Sequence, residues 1–427
     1  MNAAIIFILL MVLMLTGMPI SISLGLTVLT FLFGFTEVPL ESVALKLFTG
    51  IEKFEIMAIP FFILAGNFLT HGGVARRMIN FASSMVGHWY GGLGLAGVLG
   101  CALFAAVSGS SPATVVAIGS ILLPAMTKAG FPKSFGAGVI TTSGALGILI
   151  PPSIVMVMYS VATNTSVGAL FMAGVIPGLL LAATLGGVTW YRARKFNYPR
   201  LEKATWAQRW GTFKASAWGL LLIVIVMGGI YTGMFTPTEA AAMSAVYAFF
   251  VAVFVYKDMG LKDVPKVLLN SANMSAMLLY IITNAVLFSF IMTNENIPQA
   301  LADWMLGNGL GMITFLLAVN VILLLAGNFM EPSSIVLIFA PILFPVAMKL
   351  GIDPVHFGII MVVNMEVGMC HPPVGLNLYV ASGITKMGIT ELTVAVWPWL
   401  LAMLGFLGVV TYWPAMSTWF PRMLGMM

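Results

Sequence analysis

Ten apolar stretches follow one another along this chain, near residues 3–17, 20–36, 56–71, 134–163, 168–190, 216–235, 237–256, 272–292, 355–385 and 394–413. A helix needs roughly 20 mainly apolar residues to cross a bilayer. In hydrocarbon each backbone must satisfy its own hydrogen bonds, which a helix does within one segment. The pattern predicts an all-α polytopic membrane protein. Composition agrees: of 427 residues, 60% are hydrophobic and 8% charged, against roughly 25% charged in soluble domains. The basic residues sit between apolar stretches rather than along one face, which excludes a nucleic-acid surface. Cys101 and Cys370 each lie in apolar sequence and read as small core residues. The first stretch has no basic region ahead of it, so it is expected to remain as a helix rather than be cleaved.

Two further apolar regions, 93–127 and 311–348, are interrupted near their middles by polar, proline-containing tips, SGSSPAT at 108–114 and GNFMEPSS at 327–334. Each is expected to be a helical hairpin that enters the membrane and returns to the same side. The stretches 134–163 and 355–385 are interrupted as well, at GILIPPS (147–153) and GMCHPPVG (368–375). A Pro-Pro pair removes backbone donors and disfavours helix in the residue before it. Such breaks survive at membrane depth only inside protein or against a wet cavity.

The chain is also duplicated. Pro124, Lys128, Gly130, Gly147, Pro151, Pro152 and Pro177 are matched by Pro345, Lys349, Gly351, Gly368, Pro372, Pro373 and Pro398, always 221 residues later. This predicts one repeat over 1–190, a basic linker over 191–215 and a second repeat over 216–427. Each repeat has five crossings and one re-entrant hairpin, and the odd number of crossings inverts the second relative to the first. Segment 190–214 carries seven basic residues and one acid, which places it in the cytoplasm. Fifteen of the nineteen Lys and Arg residues then face the cytoplasm, and both termini face the periplasm. The polar stretches 37–55, 72–91, 258–270 and 295–306 are expected to be interfacial helices.

Inverted halves with hairpins and broken helices place binding near the midplane, where the breaks meet. Free N–H groups at helix starts attract an anion, and free carbonyls suit Na⁺. One sodium site is expected from Ser108, Ser110 and the carbonyls of Gly147, Ile150 and Pro152. A second is expected from Gly327 through Glu331 with Gly368, His371 and Pro373. Ser111, Thr114, Asn328, Ser333, Ser334 and Asn377 are expected to hold a small anionic solute. Pro112, Pro152, Pro332 and Pro373 are each expected in the first turn of a new helix. For any single serine or glycine the alternative is helix packing. Glu331 and Glu366 are the acids at membrane depth, where ionisable groups are costly. Glu366 stands as either a proton carrier or a helix-to-helix tie. His371 is either a site residue or a hydrogen-bonded fixture. Glu239 reads as the partner of Thr236 in a capping box. GLGLAG (92–97) follows no strand and reads as close helix packing, and no P-loop, HExxH or GxSxG motif occurs. Nothing points to a transition metal, a cofactor or an enzyme.

SGSSPATVVAIGS (108–120), GILIPPSIVMV (147–157), GGIYTGMFTPTEAAA (228–242), FMEPSSIVLIFAP (329–341) and HPPVGLNLYV (371–380) resemble the large membrane subunit of tripartite ATP-independent periplasmic (TRAP) transporters, over essentially the whole chain. The resemblance implies an elevator-type sodium symporter in the bacterial inner membrane. Its partners would be a small four-helix membrane subunit and a soluble periplasmic substrate-binding protein. The hairpin tips resemble the C4-dicarboxylate branch, which implies succinate, malate or fumarate. A sialic-acid or other carboxylate transporter, and a stand-alone sodium–dicarboxylate symporter, are the alternatives.

Overall fold

The computed structural model describes residues 2–427 except 37, 310, 329 and 374. Phe329, in the second predicted tip, and Val374, in the second predicted break, therefore lie outside the described residues. Among the described residues every regular element is helical. Helices α1 (Asn2–Leu15) and α2 (Ile20–Phe35) precede a short α3 (Leu40–Ile51), then α4 (Ala58–His71) and the amphipathic α5 (Val74–Val86). The pair α6 (Gly92–Ser108) and α7 (Ser111–Lys128) follows. Next come α8 (Lys133–Ser143), a 3-10 turn (Gly144–Ile148), α9 (Ile154–Thr163) and the long α10 (Val167–Lys195). The remainder holds α11 (Trp206–Tyr231), α12 (Pro237–Phe250), α13 (Val264–Asn294) and α14 (Ile297–Gly307). A second pair, α15 (Met312–Gly327) and α16 (Pro332–Lys349), leads to α17 (Pro354–Cys370), α18 (Leu376–Thr385), α19 (Ile389–Tyr412) and α20 (Ala415–Met423).

Eight segments among the described residues are long and apolar enough to cross a membrane, including α10, α11, α13 and α19. The protein is a multi-pass membrane protein. One predicted connection turns out otherwise. Stretch 258–270 is not a separate interfacial helix, because Pro265 sits in the first turn of α13 and residues 264–270 continue into it. Within the expected linker, 191–215, α10 runs on to Lys195 and α11 begins at Trp206. Three of the basic residues, Arg192, Arg194 and Lys195, ride on the last turn of α10 and meet its negative end.

Capping decides several of these limits. Thr205 and Thr236 each open a helix with a reciprocal capping box. At α12 the Thr236 N–H donates to Glu239 Oε2 at 2.8 Å and the Glu239 N–H to Thr236 Oγ1 at 3.3 Å, as its sequence implies. Thr236→Ala is expected to cost about 1 kcal/mol and to leave solute binding unchanged. Thermal denaturation beside an uptake assay checks this, and a large uptake defect would move Thr236 from capping to function.

Close approach of helices relies on glycine. A Cβ placed on Gly138 of α8 would stand 2.6 Å from the Trp399 ring and 2.7 Å from the Ala395 carbonyl. The buried Trp399 of α19 donates Nε1–H to Thr189 Oγ1 of α10 at 2.8 Å. This is how helices pack where hydrophobicity gives no preference for protein over lipid. The two helix pairs are laid across the chain's halves. Helix α7 packs against α8 and also against α18, while α16 packs against α17 and also against α9. Each pair is thus held by the interrupted helices of both halves. Helices α4 and α13 flank this group: α4 touches α6, α7 and α9, and α13 touches α16.

Candidate functional site

The first tip is built by three residues. Gly109 takes a left-handed conformation (φ +61°) that ends α6, Ser110 is extended, and α7 begins at Ser111 with Pro112 in its first turn. Ser108 and Thr114 are buried and spend their hydroxyls inside the tip. Thr114 Oγ1 donates to the Ser110 carbonyl at 2.8 Å and accepts from Ser108 Oγ at 3.0 Å. Ser111 Oγ donates to the Gly144 carbonyl at 2.9 Å and accepts from Asn377 Nδ2 at 2.8 Å. Asn377 Nδ2 also reaches the Thr141 carbonyl at 3.3 Å. One asparagine on α18 therefore ties the second broken helix to the first tip and to α8.

The tip meets its break backbone to backbone. A Cβ on Gly147 would lie 2.6 Å from the carbonyl carbon and oxygen of Ser110, and one on Gly109 would lie 2.7 Å from the Pro152 carbonyl oxygen. The second tip repeats the contact: a Cβ on Gly327 would lie 2.9 Å from Gly368 Cα, and one on Gly368 3.1 Å from Gly327 Cα. His371 Nδ1 and Asn328 Oδ1 are 3.0 Å apart, which joins the second tip to the second break. Ser334 Oγ donates to Glu331 Oε1 at 3.3 Å, and Ser333 and Ser334 are both buried. Both Pro-Pro bonds, 151–152 and 372–373, are cis.

Between the two tips lies a cavity of about 360 Å³. Ser110, Ser111 and Pro112 line it from the first tip, and Glu331, Pro332 and Ser333 from the second. Ile148, Ile154 and Val155 come from the first broken helix, Met369 and Leu376 from the second. No Lys or Arg is among its lining residues. Of the expected site residues, Ser110, Ser111, Glu331 and Ser333 thus reach the cavity directly. Ser108, Thr114, Asn328, Ser334 and Asn377 stand behind it, holding the tips. Gly147, Gly327 and Gly368 make the close approaches. Ile150 instead faces an apolar groove with Pro151, Met172 and Tyr231, and Pro373 is exposed. Pro112 and Pro332 do sit in first turns. Pro152 and Pro373 do not: α9 begins at Ile154 behind its N-cap Ser153, and α18 at Leu376 behind Gly375. Each Pro-Pro pair lies wholly within the break, so helix resumes only after it.

Sequence reading missed part of the wall. Asn67 and Thr70 of α4 and Met274, Met277 and Leu278 of α13 also line the cavity. Asn67 Nδ2 donates to Ser271 Oγ of α13 at 2.8 Å, a polar pair in apolar helices that marks the inward faces of both. Glu366 is fully buried, and neither of its carboxyl oxygens has a hydrogen-bond partner among the described residues. It is not among the residues lining this cavity. The oxygens gathered here are hydroxyls, backbone carbonyls and one carboxylate, hard donors that fit an alkali cation better than a soft metal. The first turns of α7 and α16 both border this space, and helix starts suit an anion.

Residues 7–416 match the family model described as the tripartite ATP-independent periplasmic transporter, DctM component. The chain is 76% identical over 440 residues to the C4-dicarboxylate TRAP transporter large permease protein DctM of Rhodobacter capsulatus, covering 100% of both. It is 55% identical over 404 residues to the protein of that name from Pseudomonas aeruginosa, covering 95% of each. To the sialic acid TRAP transporter large permease protein SiaM of Vibrio cholerae it is 36% identical over 411 residues, covering 96% of each. Among solved structures it resembles the YdaH transporter of Alcanivorax borkumensis with a TM-score of 0.62, covering 89% of each chain at 16% identity, a likeness of fold alone. With a family match over residues 7–416 and relatives at this identity, the chain belongs to the DctM component family of TRAP transporters and is a large permease rather than an enzyme.

Proposed function

We propose that this permease carries C4-dicarboxylates inward, driven by sodium. It works with a small four-helix membrane subunit and a soluble periplasmic substrate-binding protein, in the bacterial inner membrane with both termini on the periplasmic side. The observation that carries the reading is the convergence of two hairpin tips and two broken helices on one cavity of about 360 Å³ that no Lys or Arg lines. An anion there has to be held by helix starts, hydroxyls and a bound cation. The names of the relatives at 76% and 55% identity support a dicarboxylate. The mutual packing of α7 with α18 and α16 with α9 supports an elevator step, in which tips and broken helices move as one block past the rest. Residues 1–190 and 216–427 are the two inverted repeats of this scheme.

The test is uptake by the complex in proteoliposomes. Labelled succinate should enter only with an inward sodium gradient and with both partners present. Unlabelled malate and fumarate should compete, and sialic acid should not. Uptake by the chain alone would show a stand-alone symporter instead, and competition by sialic acid would reassign the substrate. Within the first ion site, Ser110→Ala should raise the sodium concentration for half-maximal uptake by roughly tenfold, the effect of losing one good oxygen ligand. Unchanged sodium activation at normal expression would remove Ser110 from the site.

A further inference from the structure

Far from the cavity, one face of α10 carries Ala183, Gly186, Gly187, Trp190 and then Arg194 at helical spacing. These positions lie on one stripe. With no Cβ at Gly186 and Gly187, the stripe is hollow: a Cβ on Gly187 would meet nothing within 4 Å, and one on Gly186 only the Leu95 side chain at 3.9 Å. The hollow is a groove of about 350 Å³ between Trp89 and Trp190, with Leu95 on its far wall. From Ala183 to Arg194 the helix rises roughly 16 Å, about one leaflet's depth of hydrocarbon.

The groove ends in positive charge. The Arg194 guanidinium stands 5.3 Å from the Trp190 ring, and that of Arg200 stands 4.1 Å from the ring of Tyr90, next to Trp89. Arg209 and Lys203 act electrostatically on His88 in the same turn. The linker is stitched over this turn by the Leu201 N–H, which donates to the Gly87 carbonyl at 3.0 Å. Among the described residues, the ion pairs are at Arg76 and Arg77 with Asp258, Lys349 with Asp303, and Arg422 with Asp353. None of them includes a linker cation. Two buried atoms beside this turn, His88 Nδ1 and Arg209 Nε, have no hydrogen-bond partner among the described residues. The apolar trough thus adjoins, through Trp190 and the Tyr90–Trp89 pair, cations that form no ion pair among the described residues.

We propose that this groove binds one acyl chain of an anionic phospholipid, with the lipid phosphate held by Arg194 and Arg200. A tryptophan on each side fixes the depth of the chain, as interfacial aromatics do. The site is independent of the solute cavity and does not rest on the transport reading.

The experiment uses the full purified chain in detergent. Native mass spectrometry and thermal denaturation compare added phosphatidylglycerol, phosphatidylcholine and inorganic phosphate. Phosphatidylglycerol should remain bound and raise the melting temperature, while the other two should do neither. The variant Arg194→Gln/Arg200→Gln should weaken its binding roughly 30-fold, from the attraction each basic residue contributes near an anionic headgroup. Gly187→Leu, placed in open space, should fill the trough and expel the lipid without lowering the melting temperature of lipid-free protein. Either variant suffices if the other folds poorly. Equal retention of phosphatidylcholine, full stabilisation by inorganic phosphate, or unaltered phosphatidylglycerol binding in the variants would each overturn the proposal.

Discussion

Gly147→Ala and Gly327→Ala are each expected to cut solute uptake by about a hundredfold, the scale at which roughly 1 Å of misplacement disables a site. At Gly147 the new methyl would sit 2.6 Å from the Ser110 carbonyl carbon and oxygen and 2.7 Å from Ser111 Cα. Those atoms are backbone and cannot swing aside. The first tip would have to withdraw, and it carries Ser110 and Ser111, both in the cavity wall. Withdrawal would also strain the Ser111 bonds to the Gly144 carbonyl and to Asn377, so both halves of the site would be disturbed by one methyl group. At Gly327 the methyl would sit 2.9 Å from Gly368 Cα, prying the second tip from the second break. Overpacking of this kind costs about 1–3 kcal/mol, so the melting temperature should fall while the protein still folds. Gly408→Ala on α19, where a Cβ meets nothing within 4 Å, is the control and should transport normally. Normal uptake by the Gly147 and Gly327 variants would mean that tip and break are not held together when the protein works.

That contact was half legible in the sequence. The tips and breaks announce themselves because Ser, Pro and Gly interrupt apolar runs that would otherwise continue as helix. The expected interruptions at 108–114 and 368–375 fall where α6 and α17 give way, and the one at 147–153 falls between the 3-10 turn after α8 and the start of α9. Duplication at matched spacing then says that the interruptions belong together. It does not say what touches what. Gly147 and Gly368 were expected to offer carbonyls, whereas their visible contribution is the missing side chain that lets a tip approach. Asn377 was expected to hold solute, yet its side-chain amide is engaged with Ser111 and Thr141. The wall contributed by Met274, Met277 and Leu278 had no sequence signal, because α13 is apolar on most of its surface and its inward face is set by packing alone. The helix starts at Ile154 and Leu376 were missed for a local reason. The prolines stop helix, but the N-cap Ser153, whose Oγ accepts from the Met156 N–H at 3.3 Å, decides where α9 resumes.

Glu331→Gln is expected to raise the sodium concentration for half-maximal uptake by at least about tenfold, with a smaller effect on solute affinity once sodium saturates. Among the described residues, Glu331 is the one acid lining the cavity, and no Lys or Arg lines it. A dicarboxylate brought within about 6 Å of an uncompensated carboxylate would meet a repulsion of about 3 kcal/mol per charge pair at an effective dielectric near 20. The start of α16 offsets part of that, because Glu331 is its N-cap residue and an anion is favoured there. The Ser334 hydroxyl donates to the carboxylate as well. What remains calls for a cation, and on the proposed reading sodium supplies it: the ion neutralises Glu331 and so prepares the cavity for an anion. That order of binding is itself the coupling. Glutamine keeps the size and an acceptor oxygen for Ser334 but removes the charge, so the tip should stay in place while the ion loses its strongest ligand. A sodium titration of uptake at fixed and at saturating solute separates the two effects. If the sodium curve stays put while solute affinity improves, Glu331 only repels the solute and the cation is bound elsewhere. If both curves stay put, the carboxylate turns away from the cavity during transport, and the second ion site has to be sought among the backbone carbonyls of the break.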